Sequence, residues 1–294
     1  MPSSAENIVI AAVEAGGTSF VVAICHVLAT SSIPKMVHRL EVDSSHSNPH
    51  KTLEECAAFL RLHKPYEGYH ALAIGSFGPV GTNEMKANTY GHILPTCPKV
   101  HWRNVDLLTP MREACQGTRP LAIKVDTDVN APAMAEYLHS ATDKKSSVAY
   151  VPVGTGVGLV VNGKPVHGMM HPEAGHVPVQ PLPGDTFGGY SWGEEASPYH
   201  GKNTVEGLAS AVALTERYEQ RSGETNVSRS VLSTLSDDDE IWDHCANALA
   251  NLCTTLLLTL SMEKIVYGGG LMNRNGLLEK IRARTNVLLN GYLD

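Results

Sequence analysis

The sequence has 294 residues, 43% hydrophobic and 18% charged, with a formal net charge of −7. That balance suits a globular protein with room for two domains and a sizeable core. An acidic chain without a basic cluster disfavours nucleic acid or an anionic membrane as partner, and no apolar run approaches the ~20 residues that span a bilayer. Residues 1–7 lack the basic and apolar regions of a signal peptide. Six scattered cysteines without CxxC spacing fit reduced thiols in the cytoplasm better than a disulfide framework or a cysteine zinc site.

In chain order, the apolar run 8–13 leads into Gly16-Gly17 and predicts a buried strand entering a tight turn. Residues 19–27 form the returning strand, which puts the glycines at a hairpin tip. Residues 53–63 carry Leu53, Cys56, Ala57 and Leu60 on one helical stripe. A short strand, 71–74, runs into the loop Gly75-Ser76-Phe77-Gly78-Pro79. Residues 80–104 are rich in Gly, Pro, Asn and Thr and predict a long irregular excursion of the kind that often carries function. A helix is expected over 105–115, a strand over 121–125 and a helix over 130–140. Strands 147–153 and 157–161 flank a second glycine turn, and 180–204 is a second long loop. Helices follow at 205–220 and 241–260, then a strand at 265–267 that ends in Gly268-Gly269-Gly270, then a last helix at 277–289. The acidic run 237–240 suits a solvated helix start, where negative charge meets the helix dipole. Hairpins mixed with strand–helix units predict two α/β domains, 1–125 and 126–294. The first carries one phosphate-facing hairpin, and the larger second carries Asp128, the 171–176 loop and the remaining glycine turns.

Four segments hold residues able to do chemistry: Glu14-Ala15-Gly16-Gly17-Thr18, Asp126-Thr127-Asp128-Val129-Asn130, Gly154-Thr155-Gly156-Val157-Gly158 and His171-Pro172-Glu173-Ala174-Gly175-His176. The first and third are small-residue turns whose backbone N–H groups can approach phosphate oxygens closely. Their threonine hydroxyls can donate to phosphate. No Walker A pattern is present, which disfavours a P-loop kinase. Asp128 follows a strand end, where a carboxylate can accept a proton from a hydroxyl undergoing phosphoryl transfer. An aspartate ahead of a helix is equally an N-cap, so both roles stay open. Asp126, two residues earlier, faces the same side if the strand continues. Glu173 and His176, three residues apart, can clasp adjacent sugar hydroxyls, or they can line a polar loop with a half-buried histidine. Glu206 sits in the first turn of a helix, where it either suits the dipole or completes the clasp. Together the segments point to phosphoryl transfer from a nucleotide to a sugar.

The chain closely resembles the ROK family of sugar kinases over about residues 8–293, and within it the bacterial-type fructokinases. The resemblance is carried by IVIAAVEAGGTSF, AIGSFGPV, ILPTCPKVHW, VDTDVNAPAMAEY, VPVGTGVGLVVNGKPVHGMMHPEAGHVPV, SPYHG, VEGLAS and EKIVYGGGLM. It implies the two-domain, actin-like (ribonuclease H-like) ATPase fold with an interdomain cleft. It implies Asp128 as catalytic base and Gly78, Thr96, Glu173, His176 and Glu206 as sugar-binding residues. It implies Gly16, Gly17, Thr18, Gly154, Thr155, Gly156, Gly268 and Gly269 as nucleotide-binding residues. ATP is the implied phosphoryl donor, with Mg²⁺ bridging its oxygens, and relatives commonly form homodimers.

Departures from the family pattern are equally legible. Fructokinases of this type hold a structural zinc on histidine, cysteine, histidine and cysteine. Here His176 and His200 remain, Ser197 stands for the first cysteine, and Asn203 or Thr204 for the second. Hydroxyl and amide groups replace thiolate poorly on zinc, so weak or absent zinc is expected, with the 180–204 loop held by packing or mobile. Ser19 stands where lysine is common and Ala211 where glycine is common. Relatives continue past the last helix with a glycine-rich turn and a further helix. Three functions follow as alternatives: a kinase for fructose or another hexose (mannose, glucose or an N-acetyl amino sugar), a non-catalytic sugar-binding relative, and a sugar-responsive repressor. The last needs a helix-turn-helix ahead of the core, and seven residues precede Ile8 here.

Overall fold

The computed structural model describes residues 8–28, 33–45, 47–139, 145–154, 156–190 and 198–293. The chain forms two compact units, residues 1–131 with 167–171 and residues 132–166 with 172–294. The expected division at 125/126 put Asp126 and Asp128 in the second domain; both lie within the first unit's span.

The first unit is built on a five-stranded mixed sheet in the order β3-β2-β1-β4-β5. Strands β1 (Ile8–Ala15) and β2 (Ser19–Val27) make the expected antiparallel hairpin, and β3 (Lys35–Asp43) pairs antiparallel with β2. Strand β4 (Ala71–Ser76) runs parallel to β1, and β5 (Ala122–Thr127) parallel to β4. Ala11, Val13 and Ala15 of β1 and Phe20, Val22 and Ile24 of β2 are buried by strand alternation. Helix α1 (Pro49–Leu62) covers them with Leu53, Cys56, Ala57 and Leu60. Strand β3 has no counterpart in the sequence expectation. It is an edge strand exposed along nearly its whole length, so it lacks the apolar alternation that marks a strand. Helix α2 (Leu108–Cys115) begins three residues later than expected, because Asp106 Oδ1 accepts the amides of Leu108 and Thr109 (both 2.9 Å) and caps it there. Residues 80–104 are irregular, with isolated bridges, several turns and one short helical turn at Val100–Trp102.

The register of this sheet sets the site. Ala15 pairs with Ser76, and Ser76 with Thr127. The carboxyl ends of three mutually parallel strands are therefore level, and the loops leaving them emerge side by side. In open α/β sheets that edge is where ligands bind.

The second unit repeats the plan with four strands, β8-β7-β6-β9. Strands β6 (Val148–Pro152) and β7 (Gly158–Val161) form a hairpin, β8 (Lys164–Pro165) extends it, and β9 (Lys264–Gly268) runs parallel to β6 with Pro152 opposite Gly268. Helix α3 (Asn130–His139) leads in from the first unit's span. Helix α6 (Glu240–Leu260) forms the core with Ile241, Trp242, Leu249, Leu252 and Leu256, and α7 (Leu277–Leu289) packs on it through Leu277 and Ile281. The helix expected over 205–220 is two helices, α4 (Val205–Ala209) and α5 (Ala211–Ser222). Ser210 breaks it: its backbone is extended, and its Oγ accepts the Ala213 amide at 3.2 Å to cap α5. The acidic run before α6 is more than a solvated start. Asp239 caps α6 through the Ile241 amide (3.0 Å) and takes Arg221 bidentately at 2.6 and 2.9 Å. No helix among the described residues is long and apolar enough to cross a membrane.

Candidate functional site

Two clusters of candidate residues occur, one in each unit. In the first, the Gly16–Thr18 tip is braced from below. The Gly16 amide donates to Ser19 O (3.0 Å), the Ser44 amide to Thr18 O (3.0 Å), and the Ser44 hydroxyl to Gly16 O (3.3 Å). A Cβ on Gly16 would lie 2.7 Å from the Ser19 carbonyl oxygen, so the turn closes this tightly only with glycine.

Asp128 leaves the end of β5, its amide donating to Ser76 O at 2.9 Å. Burial pushes its carboxyl up to about 6, the Glu14 carboxylate on the hairpin pushes the same way, and the Lys99 ammonium opposes both. A carboxylate near that value is a far better proton acceptor than an ordinary one and is still mostly ionised at neutral pH. The capping role that the sequence offered to Asp128 is filled by Thr127, whose Oγ1 accepts the Asn130 amide at 3.0 Å.

Asp126 has the opposite surroundings. Its Oδ1 accepts the Thr127 amide (2.8 Å) and Asn130 Nδ2 (2.9 Å), and its Oδ2 meets His167 Nε2 at 3.0 Å. This carboxylate is spent on structure. His167, and His171 whose Nε2 accepts the Val80 amide at 3.2 Å, are polar anchors of the first unit to which the sequence reading assigned no role. Gly78 and Thr96 lie on neighbouring loops. The Leu94 amide donates to Pro79 O (2.8 Å), and the Cys97 thiol points to Gly78 O at 3.6 Å. Thr96 itself is exposed.

Lys99 was also missed by sequence reasoning. Its Nζ lies 4.8 Å from the Phe77 ring centroid and 3.3 Å from where a Gly17 side chain would begin. The available signal was weak, since Lys99, three residues ahead of Trp102, is one of three cations in the 80–104 loop with Lys86 and Arg103.

In the second unit the structure brings Glu173, His176 and Glu206 together. His176 Nδ1 lies 3.1 Å from Glu206 Oε2, and its Nε2 lies 3.9 Å from Glu173 Oε2. Burial lowers the His176 pKa, so the ring is neutral at pH 7. Hydrogen bonding to a carboxylate assigns its one proton to Nδ1, facing Glu206, and leaves the Nε2 lone pair beside Glu173. Two acceptors side by side suit a pair of hydroxyl donors. Glu206 itself is buried and rides on α4, which Thr204 caps by accepting the Gly207 amide (3.0 Å) while donating to Gly201 O (3.0 Å).

Gly154 has a φ of +153° with nothing near its Cα substituent position. A cavity of about 10 Å³, the size of one water, is bounded by Gly154, Gly156, Gly175 and Glu206, so the glycine turn and the clasp adjoin. Gly268 ends β9 and accepts the Val153 amide at 2.9 Å, and Gly269 follows at φ +91°. These turns meet because β6 and β9 are parallel neighbours. Thr155 and Ser197 lie outside the described residues.

Of the positions that the resemblance assigns to zinc, His176 keeps its Nε2 lone pair open while Nδ1 faces Glu206, whereas the Thr204 hydroxyl is committed in both directions to backbone. His200 is exposed at a positive φ of 54°. The described part of the 180–204 loop is held by a buried ion cluster. Asp185 takes Arg217 bidentately (2.7 and 2.8 Å) and meets His244 Nδ1 at 3.0 Å, while Arg217 lies over the Phe187 ring at 4.6 Å. From Phe187 the loop reaches Gly188 and Tyr190, which bond Asn203 and Gly207.

Comparison with known proteins agrees with this architecture. The chain is 32% identical to a fructokinase of Zymomonas mobilis over 96% of its own length and 86% of that protein's. It is 32% identical to a fructokinase of Streptococcus mutans, again over 96% and 86%. A solved ROK family glucokinase from Streptomyces griseus, in complex with glucose and AMPPNP, superposes with a TM-score of 0.65 at 20% identity, over 96% of this chain and 90% of that one. The fold is thus that of the ROK sugar kinases. The ROK family model matches residues 10–294, and the chain belongs to the ROK family.

Proposed function

We propose that this chain is an ATP-dependent sugar kinase that phosphorylates a hexose on its 6-hydroxyl, with fructose the first candidate. Asp128 carries the reading: a half-buried carboxylate with a pKa raised to about 6, at the level sheet edge that also bears the Gly16–Thr18 turn. In this role it accepts the proton of the sugar hydroxyl as the oxygen attacks the γ-phosphorus. Glu173, His176 and Glu206 hold ring hydroxyls, and Gly78 and Thr96 approach the sugar. Gly16, Gly17, Thr18, Gly154, Thr155 and Gly156 hold phosphate, with Gly268 and Gly269 on the nucleotide side. Mg²⁺ would neutralise phosphate oxygens on ATP without a dedicated protein cage. Fructose is favoured over other hexoses by the relatives named fructokinase, and ATP by the glucokinase complex with AMPPNP. The reading carries with it a cytoplasmic protein that works as a homodimer.

The test is a turnover screen of fructose, mannose, glucose and N-acetyl amino sugars with ATP–Mg²⁺, read as ADP release, beside calorimetry of sugar binding. ADP release with fructose, and fructose 6-phosphate as product, is the expected result. Turnover with another hexose alone would move the substrate assignment. Sugar binding without ADP release from any hexose would make the chain a non-catalytic relative.

A further inference from the structure

Lys99 is held in place by its own backbone and its neighbours. Its carbonyl accepts the Trp102 amide at 2.9 Å, and Cys97, two residues earlier, has its carbonyl fixed by Arg103 Nε at 2.7 Å. Phe77, beneath the ammonium, is packed edge-on to Trp102 (5.5 Å), which stacks on Phe20 (5.1 Å). The stem is therefore anchored on a buried aromatic wall, and the charge is delivered beside Gly17. A group added at Gly17 would start 3.3 Å from Nζ, so the ammonium already stands at the turn. Asp128, just past the end of β5, and Glu14 on β1 are the carboxylates that share this environment, and Lys99 acts on the former directly.

A half-buried lysine resting on a phenylalanine has a purely structural explanation, since cation–π contact contributes roughly 0.5–2 kcal/mol. That account leaves the position of the charge unexplained. Burial lowers the Lys99 pKa, which means the site loses stability by keeping an ammonium there. A methionine or leucine would pack on the same wall without that cost. The charge is placed where a phosphate-binding turn and a raised carboxylate meet.

We infer that Lys99 is a catalytic residue whose ammonium contacts the γ-phosphoryl group of ATP between the Gly16–Thr18 turn and Asp128. The inference rests on the kinase function proposed above and adds a residue to it. During transfer the sugar oxygen forms its bond to the γ-phosphorus and gives its proton to Asp128. The bond from the γ-phosphorus to the bridging oxygen breaks, and its electron pair leaves on ADP. Lys99 stays protonated throughout and stabilises the equatorial oxygens. It also keeps Asp128 more ionised than Glu14 and burial alone would allow.

The test pairs Lys99→Met with the wild type, measuring kcat, sugar KM, the pH dependence of kcat, and the dissociation constants of AMPPNP and ADP. Lys99→Met is expected to lower kcat by about 10²–10³-fold, the scale of losing one aimed charge at a developing anion. Sugar KM should stay within about 3-fold, because the proposed contact is to phosphate and not to sugar. The preference for AMPPNP over ADP should shrink, and the acidic limb of the kcat profile should move to higher pH as Asp128 loses its cationic neighbour. A kcat within about 3-fold of wild type would overturn the inference. So would a loss of activity with the AMPPNP-to-ADP preference and the acidic limb both unmoved, since that is what an aromatic-wall defect would give. If the wild type releases no ADP with any hexose and does not bind AMPPNP, it is the kinase reading that fails.

Discussion

Both units build an antiparallel hairpin whose inner strand pairs in parallel with a later strand: β2-β1-β4 in the first and β7-β6-β9 in the second. Each places a glycine turn at the hairpin tip. What surrounds the tips differs. In the first unit the neighbours are the exposed Glu14 and the half-buried Asp128 and Lys99, and burial moves the pKa values of the last two against the charged form. In the second they are an imidazole and two carboxylates joined by a hydrogen bond, with the glutamate carried on a capped helix. On the proposed function, one sheet plan would support two kinds of chemistry: a reactive carboxylate kept under-solvated in the first, and an ordered set of acceptors in the second. The contrast predicts that variants in the first unit change kcat and variants in the second change sugar KM.

The largest expected effect belongs to Asp128→Asn. It should lower kcat by about 10³-fold or more, the range for removing a positioned general base, with sugar KM little changed. The same substitution should stabilise the fold. The Asp128 pKa is raised from 3.8 to about 6 in the folded chain, so the folded state favours the protonated form. Its contribution to stability is full below about 4 and is lost as pH rises through about 6. An amide there should therefore raise the melting temperature at pH 8, by the equivalent of about 1–2 kcal/mol, with the gain vanishing near pH 4. A variant that is slow and no more stable at pH 8 would mean the carboxylate is already well solvated.

Glu206→Gln sharpens the other half of the contrast. The amide keeps the shape and can accept from His176 Nδ1, but it loses the charge that orients the ring. Sugar KM is expected to rise about 10–100-fold, with kcat at saturation within about 5-fold. A fall in kcat with unchanged KM would erase the proposed division of labour and place Glu206 with the reacting atoms.

The division between Asp126 and Asp128 shows where sequence reasoning ran out. Both aspartates follow the same strand, and spacing alone gave them one face. The structure separates them by partners: Asn130 and His167 occupy Asp126, whereas Asp128 shares its surroundings with Glu14 and Lys99. His167 is 41 residues from Asp126 in sequence, so no local window contained that contact. The hairpins, the glycine turns and the order of strands and helices were legible because apolar period and glycine placement are local signals. Strand β3 was not, since an exposed edge has no period to detect. The break at Ser210 was not, because helical spacing continues across it and only its backbone conformation and cap reveal the interruption. Glu173, His176 and Glu206 were nominated by residue type and spacing and then by the resemblance, but that His176 sits between the two carboxylates depends on a fold contact between a loop and a helix 30 residues on. Lys99 went unnoticed because its significance lies in what Gly17, Phe77 and Asp128 bring to it from three other segments.

The smallest expected effect tests whether the clasp depends on how α4 is held. Thr204 Oγ1 accepts the Gly207 amide and donates to Gly201 O, so one buried hydroxyl ties the start of α4 to the preceding turn. The turn and helix are also in close contact: a Cβ at Gly207 would sit 1.9 Å from Gly201 O. Thr204→Ala removes both hydrogen bonds and leaves the Gly201 carbonyl with the longer bond from the residue 204 amide (3.4 Å). A stability loss of about 1 kcal/mol is typical of losing such a cap, read as a lowered denaturant midpoint at unchanged slope. Because Glu206 lies two residues beyond the cap, the first turn of α4 should fray and sugar KM should rise about 2–4-fold, with kcat unmoved. Thr204→Ser keeps the hydroxyl and should restore KM even where the lost methyl leaves some stability missing. If both variants lower stability equally while KM stays at the wild-type value, α4 is held by Leu208 and its core contacts alone, and the cap contributes to the fold without positioning the glutamate.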